Sequence, residues 1–323
     1  MYSRFIYGNH GVFSGGRSRM ITVLRTMIFR EIQEHKVAFI YAPFFVSIVL
    51  CIVIASVYLG GTSIQTEQFN FSTDFFDDEA RQAMQQVSSI SRIDIVRAGL
   101  LVLGFPILLT IGFGLLAYSL STFADERKDR SLIFWRSLPV SDLTTVLSKV
   151  LLVVLVVPLM VIPHIILLQL VAMISASIFF TTNDIVSFDW LWGSYILTDW
   201  FRIVFSLWAQ ALWSLPLFVW LMLAGTYATR PIAGAIIPPV VLIVLERIIF
   251  KTNTVLEFIE NRVGFWSRAD SFPKEYNEIR VVDISDIFLL FSSQAFWIGI
   301  LASMVLIAGI VYVRSSNSDQ TID

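Results

Sequence analysis

Six apolar runs of about twenty residues each dominate this chain, and a helix rising about 1.5 Å per residue needs that length to cross a bilayer core. Lipid offers backbone groups no hydrogen-bond partners, so a crossing chain must pair its own N–H and C=O groups, as a helix or a closed barrel does. A barrel strand needs about ten residues of alternating polarity, whereas these runs are longer and do not alternate. Helices are therefore expected. The composition points the same way: 56% of the 323 residues are hydrophobic and 15% charged, with a mean hydropathy of +0.74. A soluble core of that content would leave large apolar patches facing water.

The fold class expected is an all-α membrane protein with six transmembrane helices, an N-terminal amphipathic interfacial helix and a short cytoplasmic helix between the second and third spans. The spans read as residues 37–59, 98–122, 147–174, 201–227, 231–250 and 287–313, with a polar tail at 314–323. Residues 1–17 hold Gly8, Gly11, Gly15 and Gly16 with few apolar anchors and are expected to be flexible. Over 18–36, Ile21, Leu24, Ile28 and Ile32 recur at helical spacing while Arg19, Arg25, Arg30 and Gln33 fall elsewhere, which predicts a helix lying along the membrane surface. Pro158 and Pro163 predict a kink in the third span, and Arg230-Pro231 a tight hairpin between the fourth and fifth, with proline in the first helical turn.

With the N-terminus inside, thirteen of the 23 basic residues fall on inner segments and most acidic residues outside, the bias of the positive-inside rule. Two outer loops, 60–97 and 251–286, follow from that orientation. Asp74, Asp77, Asp78 and Glu79 in the first lack the spacing and glycine of an EF-hand and read as a solvated surface. Trp190, Trp192, Tyr195 and Trp200 suit an aromatic belt at the outer interface.

Several chemistries find no support. A net charge of -2 without a dense basic tract gives nucleic acid nothing to bind. Cys51 is the single cysteine, and His10, His35 and His164 lie far apart without ligand spacing, so no disulfide, metal site or catalytic residue is assigned. The glycine-rich stretch 11–18 lacks a lysine and follows no strand, so it is not a phosphate loop.

Residues 125–142 are the most informative segment. A charged half, Asp125-Glu126-Arg127-Lys128-Asp129-Arg130, is followed by Leu132, Ile133, Trp135 and Leu138, an apolar face that a merely solvating loop does not need. Leu138-Pro139 ends that short helix, and Ser141 is placed to cap the next, with Asp142 favourable at its positive end. This loop resembles that of the permease subunits of type-2 ATP-binding-cassette (ABC) transporters. Glu126, Arg127, Ser131, Leu132, Leu138, Pro139, Val140 and Ser141 match the family pattern, while Arg130 stands where glycine is usual.

The resemblance implies that the loop is a coupling helix, with Glu126, Arg127 and Arg130 making polar contacts to a separate cytosolic ABC ATPase subunit and Leu132, Trp135 and Leu138 filling its groove. It also implies that ATP and Mg are bound by that partner and none by this chain. A second permease copy, identical or related, would complete an exporter in the lipid bilayer of a bacterial cytoplasmic membrane, both termini in the cytosol. Within the spans, His164, Gln169 and Gln210 are candidates for a substrate path, against the plainer reading that they join helices by hydrogen bonds. An ion-gradient-driven secondary transporter and a membrane scaffold or sensor remain the alternatives.

Overall fold

The computed structural model describes residues 15–59, 65–66, 69–70, 82, 89–128, 141–193, 195–263 and 284–319. In chain order the helices are α1 (Gly15–Glu34), α2 (Ala42–Leu59), α3 (Ser89–Lys128), α4 (Asp142–Leu151), α5 (Val157–Thr182), α6 (Tyr195–Trp213), α7 (Leu215–Tyr227), α8 (Pro231–Ile249), α9 (Thr254–Val263), α10 (Ile284–Ser292) and α11 (Gln294–Asp319). A two-residue ladder pairs β1 (Gln65–Thr66) with β2 (Phe69–Asn70).

Five helical stretches are long and apolar enough to cross a membrane: Val37–Tyr58, Ile95–Arg127, Asp142–Thr182, Pro231–Ile249 and Gln294–Ser316. A sixth crossing is made if Phe188–Trp213 and Leu215–Tyr227, bent by 48° where they meet, form one span. The expected all-α membrane architecture is the one observed. The fourth span, expected as a single run, is broken at Ser214.

Helix ends follow the local sequence. The Ser141 hydroxyl accepts the Thr144 N–H at 3.2 Å and caps α4, as the sequence predicts. Pro231 opens α8 after a three-residue link from the end of α7, which closes the predicted hairpin. The third span absorbs Pro158 by widening one turn: Leu152–Val156 is a π-turn immediately before α5, so the lost N–H falls where the regular ladder is already relaxed. A second π-turn, Val37–Tyr41, joins α1 to α2.

The core lies between α2, α3, α5 and α7. Ile107, Ile111, Tyr118, Val146, Leu152, Val161, Leu168, Val219 and Met222 are buried there. The third span is its axis, 44% buried over its most apolar stretch, whereas the fifth is 6% buried and lies at the edge. Close approach is built in at Gly225 of α7, where an added Cβ would sit 2.6 Å from the Leu120 carbonyl of α3. Along α1, Leu24, Met27, Ile28, Glu31 and Ile32 turn inward, while Ile21 is 66% exposed, off the face the spacing assigned it to.

Candidate functional site

The end of the bundle that carries α1 holds a buried ionic junction. Glu31 enters from α1, Glu126 from the end of α3, Lys149 from α4 and Arg314 from α11. An ammonium has three donors, and Lys149 uses all of them: to Glu31 Oε1 at 2.8 Å, to Thr122 Oγ1 at 2.7 Å and to Glu126 Oε1 at 3.0 Å. Glu31 Oε2 also accepts the Tyr118 hydroxyl at 3.0 Å and that of Thr122 at 3.4 Å. Arg314 donates to Glu126 Oε2 at 2.8 Å and to Asp142 Oδ1 at 3.2 Å. The Phe123 ring lies under both cations, 5.2 Å from Lys149 Nζ and 5.0 Å from the Arg314 guanidinium carbon, a cation–π arrangement strengthened by exclusion of water.

Lys149 is 1% exposed, Glu31 4% and Arg314 7%. Removing such charges from water costs several kcal/mol each, roughly offset by the pairing, so the junction contributes register among its helices more than net stability. Its carboxylates can be satisfied together only when α1, α3, α4 and α11 hold one arrangement.

Arg127, the next residue along α3, faces the other way. Its guanidinium donates to the Gly225 and Ala228 carbonyls at 2.8 and 2.5 Å. Those carbonyls belong to the last turn of α7 and to its C-cap residue, where the helix has no further N–H to offer and a cation is favoured by the dipole. Consecutive residues at the end of the second span therefore tie it to α4 and α11 on one side and to the hairpin between α7 and α8 on the other.

His35, one turn past Glu31, completes the junction's rim. Its ring meets Tyr118 edge-on at 4.9 Å and Phe39 at 6.4 Å. Burial lowers its pKa below the ordinary 6.5; Lys149 lowers it further, and Glu31, Glu34 and Asp125 oppose the shift.

The residues singled out from sequence are distributed as follows. Glu126 and Arg127 are internal struts, 8% exposed and half-buried respectively, and the loop pattern by itself does not convey that role. Arg130, Leu132, Trp135 and Leu138, with the short helix expected around them, lie outside the described residues. Gln169 is a clasp: it donates to the Leu100 carbonyl of α3 at 3.2 Å and accepts the Trp200 indole of α6 at 2.9 Å. His164 Nδ1 donates to the Met160 carbonyl of its own helix at 2.9 Å. Gln210 donates to the Ser214 hydroxyl and to the Val263 carbonyl. Gln169 and Gln210 thus join separate helices, the plainer of the two readings. Trp192 is likewise turned inward, donating to the Ser177 hydroxyl at 2.9 Å.

The junction itself escapes the sequence reading. Glu31, Lys149 and Arg314 stand far apart along the chain, and the usable signal is weak: a carboxylate on the inward stripe of α1 and a lysine on the apolar side of α4. Among the described residues, no three His, Cys, Asp or Glu side chains form a metal-binding group.

Fold and junction together define a multi-pass α-helical membrane protein whose helices are tied at one end by buried charge. No known protein family, curated protein or solved structure matches this chain.

Proposed function

We propose that this chain is the membrane-spanning permease subunit of an ABC exporter, docked through residues 126–141 on a separate cytosolic ATPase that binds ATP and Mg. The junction at the head of that loop carries the reading. A loop that only connects two spans has no need of a base where Glu126 binds two elements and Arg127 a third. A loop that is pushed needs one, because displacement at its head must reach several spans at once. Closure of the ATPase subunits would move the loop, Glu126 would carry the movement to α4 and α11, and Arg127 would carry it to the hairpin between α7 and α8. In this reading the chain sits in a bacterial cytoplasmic membrane with α1 and both termini on the cytosolic side, and a second copy or related chain completes the path.

The test uses Leu132→Glu and Leu138→Glu, which place a charge on the face assigned to the ATPase groove. Each should abolish co-purification with the partner ATPase, with membrane insertion and the thermal midpoint unchanged. Undiminished co-purification with both variants would refute the docking assignment. Uptake driven by a proton or sodium gradient without any ATPase would put a secondary transporter in its place.

A further inference from the structure

Helix α9 is held to the bundle in an unusual way for a membrane protein. Its one buried side chain is Arg262, and its apolar residues remain partly or largely exposed. Polar ties at its two ends attach it instead. At the first end, Glu246 of α8 accepts the Thr252 hydroxyl at 2.6 Å and the Thr254 and Val255 N–H groups at 2.7 and 2.9 Å, capping the helix. At the other end, the last three carbonyls have no N–H of their own helix to accept. The Trp213 indole donates to Asn261 O at 2.5 Å, the Ser214 hydroxyl to Arg262 O at 2.8 Å, and Gln210 to Val263 O at 2.9 Å.

All three of those donors stand at the break in the fourth span. Helix α8 carries the chain through 19 residues, about 28 Å, away from the hairpin. The break lies only 13 residues of α7, about 20 Å, from the same hairpin, so α9 folds back toward the middle of the bundle.

Arg262 ties this helix to two spans at once. Its guanidinium lies between the rings of Trp213 and Phe258, 4.2 and 4.7 Å from their centroids. It donates to the Trp213 carbonyl at 3.3 Å, on the near side of the break in the fourth span, and to the Ala295 carbonyl in the first turn of α11, just past the break at Ser293 that separates it from α10. Gly299 of α11 makes room for it; any Cβ there would run into the guanidinium. The turn from α8 into α9 passes through Lys251 at φ 57°, a left-handed conformation that a residue with a Cβ adopts only under constraint.

We propose that α9 is a hinged strap, pivoting at Lys251, and that Arg262 is the latch that fastens it across the break in the fourth span and the start of α11. With the latch closed, the fourth span is held at its 48° bend. With it open, the Trp213 and Ala295 carbonyls are released, and the bend, seated where Pro216 interrupts the helix, is free to change its angle. A helix of ten residues held by polar end contacts is the kind of element that opens well below the global unfolding free energy. The assignment does not depend on docking to an ATPase, and the two can fail separately.

Hydrogen–deuterium exchange of the full chain in phospholipid nanodiscs reads the latch directly. In Arg262→Ala, the amides of 258–263 and those around the break at 212–218 should exchange at least tenfold faster, while 254–255 stay protected by Glu246. Gly299→Ala, which displaces the guanidinium without removing it, should give the same local pattern. Glu246→Gln should release the other end, 254–255, first. Unchanged exchange across 258–263 in both latch variants would overturn the proposal. So would a uniform rise across all spans, because Arg262 would then be an ordinary structural residue.

Discussion

Replacing Lys149 by methionine is the sharpest test of the ionic junction. Methionine keeps most of the side-chain volume and its flexibility, so packing changes little. What disappears is the cation between Glu31 and Glu126, together with donors at 2.7 to 3.0 Å from three acceptors. Glu31 keeps the Tyr118 and Thr122 hydroxyls and Glu126 keeps Arg314, so each carboxylate loses part of its compensation but not all. Removing one partner from a buried pair typically costs about 3–5 kcal/mol, and Lys149 is buried as completely as such pairs are. At that cost the thermal midpoint in detergent, followed by scanning fluorimetry, should fall by on the order of 10 °C. A second substitution makes the cause visible. Adding Glu31→Gln removes the like charge left behind and should recover about half of the loss, a coupling that additive effects at unrelated sites do not produce. A midpoint unchanged in Lys149→Met, or no recovery in the double variant, would refute the view that these charges hold one another in place.

His35 supplies a pH prediction: because its pKa is lowered in the folded protein, its contribution to stability is complete above pH 6.5 and is lost as pH falls through the lowered value. His35→Phe, which keeps an aromatic ring against Tyr118, should therefore flatten the decline of the thermal midpoint between about pH 7 and 5, and parallel curves for the two proteins would contradict this. The glycines offer an internal contrast: Gly225→Ala drives a methyl into the Leu120 carbonyl and should cost about 1–3 kcal/mol. Gly99→Ala meets nothing within 4 Å and should be neutral or stabilising by up to about 1 kcal/mol; equal effects at the two sites in urea or thermal titrations would show that the close crossing of α3 and α7 is not what Gly225 provides.

Much of the architecture was legible because membrane spans are written locally. Twenty apolar residues in a row specify a helix and its solvent without reference to anything distant, so the long apolar runs are found in helices. Caps are local too, and Ser141 and Pro231 stand where their chemistry placed them. The misreadings have equally physical sources. The fourth span reads as one apolar run, yet Pro216 has no N–H for the Leu212 carbonyl and its ring crowds that carbonyl, so the helix breaks at Ser214, where α9 also brings three carbonyls to be satisfied. Ile21 fits the helical spacing of α1 yet faces outward, since periodicity identifies a stripe but not which neighbour will cover it.

By itself, the sequence determined that the chain is a multi-pass helical membrane protein and that 125–142 is a segment of mixed charge and apolar character at the end of the second span. Tertiary structure alone decided that Glu31, Glu126, Lys149 and Arg314 share one buried site, that Arg127 closes the end of α7, and that Arg262 joins the break in the fourth span to the start of α11. The reason is the range of the forces. Transfer into lipid and backbone pairing act within a segment and leave a continuous trace, whereas a charge paired in a low dielectric needs partners from helices far apart in the chain, and nothing in the spacing of one helix records which partner another will present.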